Sequence, residues 1–161
     1  MPDQIPGFVI TGPPRTKKTH SRIIHIPRKG APKCRCCGHQ PGFPKLLPSE
    51  AYEIWEESAL QQAIGIKRQL AIAGVSLPLI GLLSVEAHIY RETNVGDVCG
   101  FQQAIGDMLQ KAGIITNDVQ IEDFDGTRRL KDAANPRVEI FITVVEEKAV
   151  QESLPLRNTK G

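Results

Sequence analysis

Asp97, Asp107 and Asp118 fall within one short stretch of the chain, Gly96 to Asp118, and carboxylate oxygens are the ligands that hard divalent cations prefer. Phe101, Ile105, Met108 or Leu109, and Ala112 recur at helical spacing, which predicts a helix from near Asp97 to Gly113. Asp97 then stands at the helix entrance. Asp107 shares the polar face with Gly100 and Gln103, and Asp118 follows in the loop beyond Gly113. If that loop folds back, Asp97 and Asp118 become the natural metal ligands, with Asp107 as a third ligand or supporting partner. Magnesium, or manganese in its place, would complete its shell with water and phosphate oxygens, polarise a phosphodiester and lower the pKa of an attacking water. The same residues also have a structural reading: a helix N-cap at Asp97, a solvated carboxylate at Asp107 and a turn residue at Asp118.

The charge is unevenly distributed. The formal net charge is +2, yet no acidic residue occurs from Gln4 to Ser49, where nine basic ones do. The chain from Glu50 onward is correspondingly acidic. A basic arm beside an acidic body is the pattern of a metal-using protein that binds polyanions. Arg15, Lys17, Lys18 and Arg22 are the candidate contacts to DNA phosphates, which give affinity without sequence choice. The run Thr11 to Thr19 only superficially resembles a nucleotide-binding phosphate loop. It lacks the second glycine, and Pro13 and Pro14 offer no backbone donors, so no nucleotide cofactor is expected. Cys34, Cys36, Cys37 and His39 lie within six residues and form a candidate structural zinc site. A second ligand pair elsewhere in the chain is missing, and an exposed loop of reduced thiols is the alternative.

These residues need a scaffold. At 161 residues with 40% hydrophobic composition, the chain fits a single domain over 1–146 with a polar tail at 147–161. Phe8–Thr11 and Ile23–Ile26 read as strands, and the proline-rich stretch 27–48 as an irregular, basic, Cys-rich insertion. Ser49 is a predicted N-cap for a helix ending at Gly74, with Tyr52, Trp55, Ala59, Ala63, Ile66 and Leu70 facing the core. Leu83, Val85, Ala87 and Ile89 alternate with polar residues as in a half-buried strand. Further strands are expected at 119–124 and 137–145, joined by a polar turn region. The sum is an α+β fold, one small mixed or antiparallel sheet carrying two helices. Nothing in the chain reads as a membrane span or an export signal, so a cytoplasmic protein of a bacterium or phage-infected cell is expected.

The order of these motifs resembles the RusA-like Holliday junction resolvases, a family of small dimeric endonucleases common in prophages. The residues that carry the resemblance are Asp97-Val98-Cys99-Gly100, Asp107-Met108-Leu109-Gln110-Lys111-Ala112-Gly113 and Asn117-Asp118. Gly12-Pro13-Pro14 with the basic residues after it, and Leu47-Pro48-Ser49-Glu50-Ala51-Tyr52, add to them. The likeness spans most of residues 7–145. It implies a two-fold dimer that cuts four-way or otherwise branched DNA with magnesium, using Asp97, Asp107 and Asp118. Two positions depart from the family pattern: Cys99 stands where the family has an aspartate, and Gln103 where it has a lysine. Asp123 or Asp125 is a candidate replacement for the missing carboxylate, and Arg128, Arg129 or Lys131 for the missing cation. Two other functions compete with cleavage: a junction-binding protein that no longer cuts, and a zinc-stiffened interaction module.

Overall fold

The computed structural model describes residues 5–17, 21–93 and 96–145. Lys18 and the tail 147–161 lie outside them. The architecture is α+β, as the sequence predicts, with strands β1 (Phe8–Thr11), β2 (Arg22–Pro27) and β3 (Gly42–Leu47), and helix α1 (Glu50–Ile72). Strand β4 (Leu82–Arg91), helix α2 (Val98–Ala112) and strands β5 (Ile121–Asp123), β6 (Arg128–Lys131) and β7 (Arg137–Val145) follow.

The centre is an antiparallel pair, β4 with β7, running in register from Leu82 opposite Val145 to Tyr90 opposite Arg137. Strict alternation assigns each side chain to one face. Leu83, Val85, Ala87 and Ile89 of β4, with Val138, Ile140 and Ile142 of β7, are buried on the side covered by the helices. Glu86, His88, Tyr90 and Glu139 hold the opposite, polar face. There His88 Nε2 lies 2.8 Å from Glu86 Oε1, and the Arg137 guanidinium stacks 3.7 Å above the Tyr90 ring. Strand β1 pairs antiparallel with the outer side of β7. On the other edge, β5 and β6 both pair parallel with β4, at its beginning and end respectively, giving a five-stranded mixed sheet.

Both helices start where the sequence places them. Ser49 caps α1 by accepting a hydrogen bond from the Tyr52 amide at 3.2 Å, and Asp97 caps α2 by accepting from Cys99 N at 3.1 Å. Gly113 closes α2 in the left-handed conformation, φ 69°, a geometry that glycine adopts at little cost. Tyr52, Trp55, Ala59, Ala63 and Leu70 form the buried stripe of α1, while Ile66 is only half-buried. No helix among the described residues is long and apolar enough to cross a membrane.

Three expectations need correction. The stretch 27–48 is not wholly irregular, because Gly42–Leu47 returns as β3 and pairs antiparallel with β2 in a separate two-stranded sheet. The strand expected from 119 is shortened: Asn117 and Gln120 form a capping box that turns Asp118–Gln120 into a 3₁₀ turn, leaving only Ile121–Asp123 extended. The region read as a polar turn contains β6, whose charged side chains conceal its pairing with β4.

Replacing fully buried Ile140 by alanine should cost about 2–5 kcal/mol, the usual range for emptying a packed site, as read from denaturant midpoints. A second prediction concerns Asp132, whose carboxyl is held below its ordinary pKa chiefly by the hydrogen bond from Arg137. A depressed carboxylate adds stability above its unfolded pKa of about 3.9 and loses it as pH falls through the lower folded value. The stability gap between wild type and Asp132→Asn should therefore be constant above about pH 5 and shrink as pH drops below about 4. Urea titrations at several pH values would measure it.

Candidate functional site

Helix α2 is the platform. Its apolar side faces the sheet and α1, and two buried glycines let other segments approach its backbone. A Cβ added at Gly100 would sit 3.1 Å from Cβ and Cγ2 of Thr16, so the basic arm crosses the helix there with Thr16 buried. One step further, the Lys17 ammonium forms an ion pair with Asp107 Oδ2. A Cβ at Gly106 would lie 3.6 Å from Cβ of Asp118 and 3.6 Å from Cδ1 of Ile121. The loop after Gly113 therefore does fold back onto α2, held by the Asp118 amide donating to Gln110 Oε1 at 3.2 Å.

This return brings Asp118 to the middle of the helix rather than to its entrance. Gly106 is nine residues beyond Asp97, roughly 13 Å along the axis at the helical rise. Accordingly, the oxygens of Asp97, Asp107 and Asp118 do not gather within 4.8 Å of one another as three ligands of one ion would. Asp107 is engaged by Lys17, and Asp97 uses Oδ1 as a cap. Neither Asp123 nor Asp125 completes a carboxylate cluster. Asp123 accepts from the Ser84 hydroxyl and, through Oδ1, from the Asp125 amide at 3.1 Å, so it organises a turn. A magnesium site built on all three helix-associated aspartates does not fit this geometry. A site on exposed Asp97 alone, completed by water and phosphate oxygens, fits the ion's habits.

The entrance of α2 is rich in positive charge. Arg129, on β6, donates to the carbonyl of Gly96, immediately before Asp97. Arg91, at the end of β4, lays its guanidinium over the Phe101 ring at 4.9 Å. Its pKa is lowered first by burial, then by the positive charges of Arg15 and Arg129. A cavity of about 300 Å³ is lined by Pro13, Arg15, Arg91, Glu92 and Pro136 among others. Among the candidate replacement cations, Arg129 is thus the one beside Asp97. Arg91 was not identifiable as part of the site from sequence, since a single arginine closing a strand carries no signal of its neighbours. Arg22 pairs with Glu53 on α1 at 2.6 Å, so of the described basic-arm candidates Arg15 is the one that joins the arginine group.

Cys34, Cys36 and Cys37 gather on the loop between β2 and β3, their sulfur atoms all within 4.8 Å of one another, and could hold a metal ion. Among the described residues this is the one grouping of three or more ligand-bearing side chains that close. All three are free thiols, and hydrogen bonding, led by Cys36, lowers the Cys34 pKa to about 6. His39 lies outside that grouping, with its ring centroid 5.0 Å from that of His25. Cys99 is an exposed free thiol in the first turn of α2.

Compared with known proteins, the chain matches no family model and no curated protein sequence.

Gly100→Val should be poorly tolerated, because the added side chain meets Thr16 and must push the basic arm off α2. A loss of about 1–3 kcal/mol is expected, as for overpacked sites, together with faster proteolysis near residues 14–17. Unchanged stability and unchanged cleavage would show that the arm does not depend on this close approach.

Proposed function

We propose that the protein is a metal-dependent endonuclease acting on branched DNA, of the kind its resemblance to the RusA-like resolvases implies. The observation that carries this reading is the juxtaposition at the entrance of α2. An exposed aspartate at a helix start follows Gly96, whose carbonyl accepts from Arg129 and whose backbone the Arg91 guanidinium closely approaches, and Arg15 lines a cavity together with Arg91. Arginine forks suit phosphate oxygens because they offer paired donors in a fixed plane. The guanidinium groups would seat the phosphodiester, and Asp97 would hold the cation against it. Magnesium, when bound, would polarise the phosphate and generate the attacking hydroxide. Gln103, exposed on the same helix, can hydrogen-bond but cannot supply charge. Arg129 takes over that charge in this reading. A two-fold dimer would let each subunit address one of two symmetric strands of a junction. The cysteine loop takes no part in cleavage; its soft sulfur ligands suit a structural ion such as zinc.

One observation favours a second reading, a junction-binding protein that does not cut: the spread of Asp97, Asp107 and Asp118 along α2. A single experiment separates the two. Purified protein is incubated with an end-labelled four-way junction and magnesium, with a chelator control and a linear duplex alongside. Paired symmetric nicks on the junction alone, abolished by chelation, are expected. Asp97→Asn should slow them by at least roughly a hundred-fold, because even partners one step removed from the ion cost up to that much. Arg129→Ala and Arg15→Ala should weaken binding and each lower the slope of log affinity against log salt by about one. Tight junction binding without nicks at any magnesium concentration would establish the second reading instead.

A further inference from the structure

We infer that the β2–β3 hairpin is folded by a zinc ion bound at its tip through Cys34, Cys36, Cys37 and His39. The hairpin lacks the means to hold itself. Among the described residues its two strands pair only with each other, and Ile23, Phe43 and Leu46 leave 74%, 56% and 66% of their surface exposed. An isolated two-stranded hairpin is marginal in water, and small units without a core rely on a covalent or metal staple. The described loop offers such a staple and no disulfide.

The loop is shaped for it. Cys34 N donates to the carbonyl of His39 at 2.7 Å, and Gly38 N donates to the carbonyl of Cys34 at 2.9 Å. Gly38 takes a φ of 70° to allow that turn. These bonds fold the segment back on itself and bring three sulfurs to one side, with the backbone of His39 beside Cys34. Sulfurs on a tetrahedral zinc stand about 3.8 Å apart, given a zinc–sulfur distance near 2.3 Å. The Cys34–Cys36 separation is 2.8 Å, so this pair opens by about 1 Å to admit the ion, while the whole group already lies within the needed span. Thiolates select zinc over magnesium or calcium. The fourth corner falls to the His39 imidazole, which turns from the His25 ring toward the sulfurs. His25 remains on β2 as a packing partner.

The site is independent of the cleavage reading, and its test does not use cleavage. Full-length protein is purified under reducing conditions, supplied with zinc, desalted and assayed for metal per chain. One zinc per chain is expected, and it should be lost in Cys34→Ser and Cys37→Ser but retained in Asp97→Asn and His25→Ala. His39→Ala should weaken retention. Circular dichroism controls that each variant keeps its fold. Cobalt in place of zinc should give the intense visible bands of a tetrahedral thiolate site. Hydrogen exchange should show amides of β2 and β3 gaining protection on zinc addition while those of β4 and β7 do not change. No retained zinc and no cobalt bands would overturn the site. Zinc that survives the Cys34→Ser, Cys37→Ser double variant would do the same. Loss in His25→Ala with retention in His39→Ala would overturn the fourth ligand, and bound zinc without hairpin protection would overturn the folding role.

Discussion

Two missing side chains in one helix govern how the molecule closes. An interior glycine costs a helix roughly 1 kcal/mol relative to alanine, and α2 carries one at Gly106 and a second glycine, Gly100, in its first turn, both buried. What offsets that cost is proximity. At Gly100 the basic arm lies across the helix, and at Gly106 the returning loop does. The arm supplies Lys17 to Asp107 and keeps Arg15 in the field of Arg91, so the electrostatics of the helix entrance follow from backbone contact made possible by absent Cβ atoms. The sheet contributes by the rigid alternation of β4 and β7, which fixes which face α2 can bury and hence which face is left for the arm.

The periodic elements were legible from sequence because burial on one face imposes a period. Leu83, Val85, Ala87 and Ile89 announce β4, and the caps Ser49 and Asp97 announce the helices that they begin. Strand β7 was read with its observed limits for the same reason. Where periodicity is absent, the sequence was silent. Arg128-Arg129-Leu130-Lys131 pairs through its backbone at a sheet edge, where side chains have little burial to advertise. Gly42–Leu47 is likewise a strand by pairing alone, and its proline conceals it.

The site was legible as a set of residue types and not as an arrangement. Sequence located Asp97, Asp107 and Asp118, and the loop carrying Asp118 does return to α2. The residue that it meets, Gly106, could be known only from the path of the chain. The partnership of Lys17 with Asp107 joins positions ninety residues apart, and no local pattern encodes it. Arg91 and Arg129 come together because β4 and β6 run parallel, a pairing that follows from the crossover through α2 and the returning loop. The three cysteines are the exception. Ligands that lie within four residues need no tertiary structure to find one another, so their cluster could be read directly.

The separateness of β2 and β3 has a consequence for how such a chain can diversify. Their hydrogen bonds close on each other, and a link to the body, Arg22 to Glu53, sits at the base of the hairpin. Lengthening, shortening or replacing the segment between these anchors leaves the pairing of the five-stranded sheet and the packing beneath it untouched. The hairpin is in that sense an exchangeable cassette on a separately packed frame. Its chemistry can change without disturbing a core, while the frame changes only as fast as a packed core permits.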